Sequence, residues 1–210
     1  MEEFLKEIKE AKEKAKKRKF VQTWDLIINL KNLDLKKPEN KLNLEFALPE
    51  GKGKESKFLF IADMLLSEAN KTGGMVIVKN DLETLGRDKK RLKKFADEYE
   101  WWFCEAPLMP IVGKTLGVVL GPRGKMPKPI PPKGSLQPFV EMSKRMIKIR
   151  IKDSPVIHVA IGREDMKEEQ IMKNAIAVMN FVKEKLPKGN MNIKNAYVKL
   201  TMGPPIKLKV

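Results

Sequence analysis

Apolar and polar residues alternate in four segments that lie toward the two ends of the chain. These segments cover residues 41–48, 147–152, 157–161 and 206–210. A period of two predicts β-strands that pack one face on a core and present the other to water, as antiparallel sheets commonly do. We therefore expect an antiparallel sheet that is built from both ends of the chain.

The middle of the chain has a different pattern, in which short apolar runs are uninterrupted. The runs cover residues 58–62, 75–78 and 101–104. Helix-like segments separate them, for example residues 63–70 and 89–100. Strands buried on both faces that alternate with helices predict a parallel, Rossmann-like sheet. The sequence therefore predicts an α/β protein in which a three-layer Rossmann-like unit is inserted into an α+β unit.

Turn-forming residues mark the points at which the chain crosses between these two units. Residues 51–57 form a polar segment with two glycines, and we place the return near residues 144–146. The prediction is a split α+β domain, with an antiparallel sheet and helices, from residues 1–56 and 146–210. Residues 57–145 form the inserted Rossmann-like domain. Two adjacent crossings make a natural hinge.

Two further segments predict helices in the split domain. Residues 23–33 carry Trp24, Ile27 and Ile28 at helical spacing. Residues 165–186 place apolar side chains on one face at steps of three and four. Acidic residues at the start of this second segment and lysines at its end suit the helix dipole.

The charge balance indicates a polyanionic partner. Lys and Arg number 43 against 27 Asp and Glu, which gives a formal net charge of +16 and a sequence pI of about 9.8. Nucleic acid is favoured over a membrane, because no apolar stretch approaches the ~20 residues that span a bilayer. The single cysteine, Cys104, cannot form an internal disulfide and suits the cytoplasm.

No catalytic, cofactor or metal site is expected. Residues 113–115 resemble the end of a phosphate-binding loop, but Leu108 stands where that loop needs glycine. Residues 61–65 lack the glycine-rich turn of a dinucleotide site. Cys104 lies in an aromatic strand and is expected to be a buried thiol, while His158 is expected on the polar side of its strand. A catalytic triad around His158 is not formally excluded, but no nucleophile-elbow sequence supports it.

Three segments have the composition of a nucleic-acid surface. In the first, the cations of residues 16–19 precede Phe20, Thr23 and Asp25. Cations attract phosphate, and a neighbouring aromatic ring can stack on a base. The alternative is a solvated helix end with Phe20 packed into the core, and the residues alone modestly favour that alternative.

The second segment, residues 115–133, contains no acidic residue. We expect a rigid, extended basic loop in which Arg123, Lys125 and Lys128 face phosphate, unless it is a linker with incidental charge.

The third segment, residues 196–210, also contains no acidic residue. Its turn offers the Thr201 hydroxyl to a ribose or phosphate and the Met202 side chain to a sugar face. Gly203 would let an RNA backbone approach, and the alternative is an ordinary turn.

Four short sequences resemble the L-one family of large-subunit ribosomal proteins, in its archaeal form. They are LTMGP (200–204), LGPRGKMPKP (120–129), LPEGKGK (48–54) and KPEN (37–40). Their order is that of the family, and the resemblance covers essentially the whole chain.

The resemblance implies a structural ribosomal protein that is no enzyme and is a monomer off the ribosome. It implies binding to the ribosomal RNA of the mobile side stalk, near departing tRNA, and assistance in the release of that tRNA. Family members often also bind a similar site on their own messenger RNA and repress its translation. The alternative is a non-ribosomal RNA-binding module or RNA chaperone of the same fold, against which the intact LTMGP sequence argues.

The resemblance also places the RNA surface on the split domain and favours RNA contact for Phe20. The residues it implies are Lys19, Phe20, Thr23, Asp25, Lys152, Asp153, Ser154, Asn195, Lys199, Thr201, Met202 and Gly203. Asp25 stands where many relatives have glutamate, and Asn195 where serine is common. The basic loop with Arg123, Lys125 and Lys128 is expected to be secondary.

Overall fold

The computed structural model describes residues 2–37, 40–131, 136–151 and 154–209. It divides into two compact units, one from Met1–Lys54 with Arg145–Val210 and the other from Glu55–Lys144.

The elements alternate between strands and helices along most of the chain. The first half contains α1 (Glu2–Lys14), β1 (Thr23–Leu30), β2 (Asn43–Ala47), β3 (Phe58–Ile61), α2 (Leu66–Lys71), β4 (Met75–Ile77), α3 (Lys79–Arg87), α4 (Lys89–Glu98) and β5 (Trp101–Glu105). The second half contains α5 (Met109–Thr115), α6 (Gly117–Arg123), β6 (Lys128–Ile130), α7 (Gln137–Arg145), β7 (Met146–Arg150), β8 (Val156–Arg163), α8 (Glu168–Lys185), β9 (Ile193–Leu200) and β10 (Ile206–Leu208).

The first unit is built on a four-stranded antiparallel sheet in the order β10-β9-β1-β8. Helices α1 and α8 cover one face of it, where Ile8 and Val178 pack with Leu26, Val159 and Val198. A separate antiparallel pair joins β2 to β7. The predicted alternating strands are therefore confirmed, and the sheet keeps one face away from the helices.

The prediction of a helix over residues 23–33 is wrong, because β1 occupies most of that range. Trp24, Leu26 and Ile28 are buried, while the residues between them are half-buried, so the period is two. The apolar residue at position 27 lies on the other face and gives the sequence its false helical spacing. As the third strand of the sheet, β1 is hydrogen-bonded to β9 on one side and β8 on the other. This pairing outweighs the local preference for a helix.

The helix predicted over residues 165–186 is confirmed as α8, which begins three residues later than expected. Glu168 and Glu169 lie in its first turn, and Lys183 and Lys185 in its last. This charge order is favourable at both ends of the helix dipole.

The second unit is built on a parallel sheet in the order β4-β3-β5-β6. Helices α3 to α6 pack on one face, where Leu59 and Trp102 meet Leu92 and Val112. On the other face, Phe103 contacts the ring of Phe139 in α7. The three-layer Rossmann-like arrangement is confirmed.

The extended loop expected over residues 115–133 is wrong for residues 115–131, and residues 132 and 133 lie outside the described residues. Most of the first half of this segment is α6, which ends at Gly124 in the left-handed conformation with φ of 65°. The Gly124 N–H donates to the Gly121 carbonyl, and the Lys125 N–H donates to the Leu120 carbonyl. These amides therefore cap a helix and are not presented to a ligand. Strand β6 follows, and Pro129 suits its position at the sheet edge.

No helix in the described parts of the chain is long and apolar enough to cross a membrane.

Candidate nucleic-acid interface

The sheet of the first unit presents a second face, of mixed polar and apolar residues, on the side opposite α1 and α8. We call it the open face, and it comprises three cross-strand rows from β9, β1 and β8. The rows are Lys199, Asp25 and Ala160; then Tyr197, Ile27 and His158; then Asn195, Asn29 and Val156. His158 and Ala160 are exposed and the others are half-buried, so every residue of the face is at least partly accessible to solvent.

The turn formed by residues 201–203 is fastened to the first residue of β1. The Thr201 N–H donates to the Thr23 carbonyl at 3.0 Å. The Thr201 hydroxyl donates to the same carbonyl at 3.2 Å and accepts from the Thr23 N–H at 3.1 Å. A hydroxyl has one proton and two acceptor sites, so this one keeps only an acceptor for a ligand. In this arrangement the hydroxyl suits a ribose hydroxyl, which can donate to it, better than a phosphate, and its contact with RNA stays a prediction.

A buried glutamine that sequence reasoning missed holds the turn against the cationic segment. The Gln22 amide nitrogen donates to the Lys16 carbonyl at 3.3 Å, and its oxygen accepts from the Met202 N–H at 3.1 Å. Its backbone also exchanges two hydrogen bonds with Glu164, at 3.2 and 2.9 Å. Gln22 is fully buried, so each of these bonds is costly to lose.

Two large apolar side chains are exposed beside this contact. Phe20 is 54% exposed and Met202 is 54% exposed. The alternative that Phe20 packs into the core is therefore wrong. The cations of residues 16–19 are exposed as well. One end of the open face thus combines positive charge, an aromatic ring and a thioether, which are the groups that bind phosphate, base and sugar.

Gly203 serves the packing of its own domain. A Cβ atom at this position would lie 3.1 Å from the Cβ of Ala15, just after α1, and 3.4 Å from the Cβ of Leu200. A side chain here would first meet Ala15, so packing alone accounts for the glycine, and the approach of an RNA backbone to Gly203 stays a prediction.

Asp25 introduces a carboxylate into a surface that is otherwise cationic and neutral. Burial raises its pKa above the ordinary value, and the nearby charges of Lys199 and His158 partly oppose this. A carboxylate repels phosphate but accepts hydrogen bonds from ribose hydroxyls and base amino groups. Asp25 is therefore suited to selecting among RNA sites and not to general attraction.

At the other end of the open face, two amide side chains pair across strands. Asn29 donates to the side-chain oxygen of Asn195 at 2.7 Å. The bond fixes both amide planes, so that the remaining amide N–H groups of Asn195 have a defined direction.

Ser154 is exposed and lies just before β8, at this same end. The Leu30 N–H donates to the Pro155 carbonyl beside it. At about 3.3 Å per residue, β1 separates Ser154 from the 201–203 turn by roughly 23 Å. The structure therefore does not bring them together. Lys152 and Asp153 lie outside the described residues.

The three cations of the expected basic loop are engaged within the second unit. Arg123 pairs with Asp97. The Lys125 ammonium donates to the carbonyls of Ala96 and Tyr99 at 2.6 and 3.1 Å, and burial lowers its pKa. The Lys128 ammonium lies 4.5 Å from the centre of the Trp101 ring. These contacts stabilise the second unit. They also keep the three cations from facing phosphate, as they would in an extended loop.

Comparison with known proteins decides the family. The model of the ribosomal protein L1p/L10e family matches residues 9–204. The chain belongs to this family. It is similar to the large ribosomal subunit protein uL1 of Methanothermococcus thermolithotrophicus, with 48% identity over 99% of this chain and 98% of that protein. The proteins of the same name from Methanocaldococcus jannaschii and Thermococcus kodakarensis are 45% and 44% identical over 99% of this chain, and over 95% and 97% of their own lengths.

The family consists of structural, non-enzymatic proteins, which confirms that the chain is no enzyme. The second unit is consistent with this. Its Glu105 carboxylate accepts hydrogen bonds from the backbone N–H groups of Asp63 and Leu65, at 3.0 and 2.8 Å. In a nucleotide-binding sheet such amides bind phosphate, but here a buried carboxylate occupies them.

Cys104 and His158 are the two further side chains that the sequence singles out for possible chemistry. Cys104 is buried, and burial raises the pKa of its thiol to about 12. His158 lies on the exposed side of β8, as expected from the alternation. Among the residues that the structure describes, no cluster of three or more His, Cys, Asp or Glu side chains could hold a metal ion.

Proposed function

We propose that this protein is a component of the large ribosomal subunit that binds the ribosomal RNA of the side stalk through its open face and its 201–203 turn. One observation carries the proposal. The bonds of Gln22 and Thr201 bring exposed Phe20 and Met202 beside four exposed cations, at one end of the open face.

The chemistry of the surface divides into attraction and recognition. The cations of residues 16–19 and Lys199 neutralise phosphates and supply affinity that depends on salt. Phe20 stacks on an unpaired base, while Met202 contacts a sugar. Asp25, Asn195 and Thr201 form hydrogen bonds with ribose and base edges. These bonds provide the recognition that phosphate contacts alone cannot give.

The first unit alone is proposed to bind the RNA. Every residue of the open face and the 201–203 turn lies in Met1–Lys54 or Arg145–Val210. The Leu48 N–H donates to the Arg145 carbonyl, so a short linker can replace the second unit.

Two finer roles extend the proposal. A messenger RNA that carries a stem similar to the stalk site would occupy the same open face, so the protein would repress its own translation when ribosomal RNA is saturated. Bound at the side stalk, the protein would also contact deacylated tRNA and assist its release. Both roles are supported by family membership and by the continuous open face that β9, β1 and β8 form.

Ultraviolet crosslinking to a stalk-RNA fragment tests the proposed site. We expect crosslinked peptides from residues 16–25 and 195–203, in the whole chain and in the first unit alone. Unlabelled messenger leader should compete for them if the two RNAs share the face. Crosslinks confined to the second unit would refute the site, and loss of crosslinking in a folded first unit would refute its sufficiency.

A further inference from the structure

A second basic surface lies on the other unit. A groove of about 430 Å³ lies between α3, the first residue of α4, α5 and α6. Arg87 and Lys89 line one side and Lys114 lines another, with Glu83 as the acidic member of the lining. Val118 also lines the groove and is 71% exposed.

Close packing of two helices sets the positions of these cations. A Cβ atom on Gly86 would lie 3.0 Å from the Cβ of Thr115 and 3.4 Å from its carbonyl oxygen. Only glycine lets α3 approach α5 so closely at this position. Arg87 follows Gly86 and Lys114 precedes Thr115. The contact between Gly86 and Thr115 therefore brings both cations to the same groove.

The three cations of the groove differ from Arg123, Lys125 and Lys128, whose side chains make contacts within the second unit. Within the described residues, no ion pair or hydrogen bond engages the side chains of Arg87, Lys89 and Lys114.

Helix α4 extends the positive charge beyond the groove. Its exposed cations include Lys90, Lys93 and Lys94. Lys89 and Lys93 are four residues apart and therefore share a helix face, where like charges repel each other. An external anion would relieve that repulsion. Because the charge continues past the groove along a helix of roughly 15 Å, it fits an extended polyanion better than a single phosphate group.

We propose that this groove binds the phosphate backbone of an RNA segment other than the one on the open face. The three cations neutralise phosphates, and Val118 contacts the adjoining sugars. The protein then holds two RNA segments, one on each unit. This inference stands apart from the stalk-RNA site, because it uses no residue of the first unit.

The test compares two triple variants of the whole chain that lose the same charge. The groove variant carries Arg87→Gln, Lys89→Gln and Lys114→Gln. The control variant carries Lys71→Gln, Lys79→Gln and Lys144→Gln, which replace exposed cations of the same unit outside the groove. The probe is a labelled RNA duplex of about 16 base pairs without the stalk sequence, the span of one double-strand-binding module.

Salt titration of duplex binding gives the decisive slope. Each lost phosphate contact should reduce the slope of log K against log salt by about 0.7–0.9. The groove variant should therefore lose roughly 2 units of slope. The control variant should keep the wild-type slope. Equal losses in both variants, or none in either, would refute the groove site. Equal competition by polyglutamate would refute RNA as its occupant.

Stalk-RNA binding separates this proposal from the proposed function. The groove variant should keep wild-type affinity for a stalk-RNA fragment, and wild-type protein saturated with that fragment should still bind the labelled duplex. If the stalk fragment displaces the duplex completely, the two RNAs share one site and the inference is wrong. Failure of stalk-RNA binding in wild type would contradict the proposed function and leave the duplex result to decide the groove.

Discussion

The side-chain oxygen of Gln22 accepts a hydrogen bond from the Met202 N–H at 3.1 Å, across 180 residues of sequence. The amide nitrogen of the same side chain donates to the Lys16 carbonyl. One buried side chain thus fixes the 201–203 turn relative to the cationic segment. This coupling makes the exposed cluster a rigid surface instead of two independent loops.

Replacing Gln22 should therefore weaken both stability and recognition. Gln22→Leu keeps the volume but leaves the Met202 N–H and the Lys16 carbonyl without this partner, at a cost of about 1–3 kcal/mol in the free energy of unfolding. Stalk-RNA affinity should fall by about tenfold, the equivalent of 1.4 kcal/mol, because the turn is no longer held. Denaturant unfolding and RNA binding measure the two effects.

Gln137 offers a matched control, because it is exposed on α7 of the other unit. Gln137→Leu should change stability by no more than about 0.5 kcal/mol. A Gln22→Leu protein as stable as this control would contradict the role assigned to the buried amide.

Gly203→Ala should destabilise the first unit through contact with Ala15. Overpacking of this kind costs about 1–3 kcal/mol, measured by denaturant unfolding. Adding Ala15→Gly removes the atom that the new methyl group meets and should restore most of the loss. As a control, Gly113→Ala places a methyl group in open space on α5 and should stabilise by about 0.5–1 kcal/mol. A double variant no more stable than Gly203→Ala would show that the contact with Ala15 is not the cause.

Asp25→Asn should raise stability at neutral pH. The folded-state pKa of Asp25 is raised, so the folded protein binds its proton more tightly than the unfolded chain does. The resulting stabilisation is complete below the ordinary pKa of 3.8 and is lost as pH rises through the raised value. Asparagine keeps the neutral form at all pH values, so its advantage should shrink as pH falls toward the acid range. Thermal melts of both proteins across pH test this, and an advantage that grows on acidification would contradict it.

The sequence predicted the sheet architecture well where burial alternates cleanly, as in β7 and β8. It failed at β1, because Ile27 is an apolar residue on the open face and imitates a helical period. It located Thr201 and Met202 by motif, but not the bond to Gln22, since a lone glutamine carries no sign of its distant partners. Likewise, no local pattern distinguishes Lys125, whose ammonium caps carbonyls, from Lys114, whose charge faces solvent.

We expect the 201–203 turn to recognise RNA by direct contact and not by charge. A salt titration of stalk-RNA binding compares wild type with Met202→Ala, Lys19→Ala and Met191→Ala. Met191 is the matched control, since it is 72% exposed and precedes β9 at the end far from the turn.

Met202→Ala should weaken binding by about 1–3 kcal/mol without changing the salt slope, because it removes a contact and no charge. Lys19→Ala should lower the slope by roughly one unit and weaken all RNAs alike. Met191→Ala should bind like wild type. If folded Met202→Ala binds stalk RNA as tightly as Met191→Ala, the turn does not contact RNA and the account is wrong.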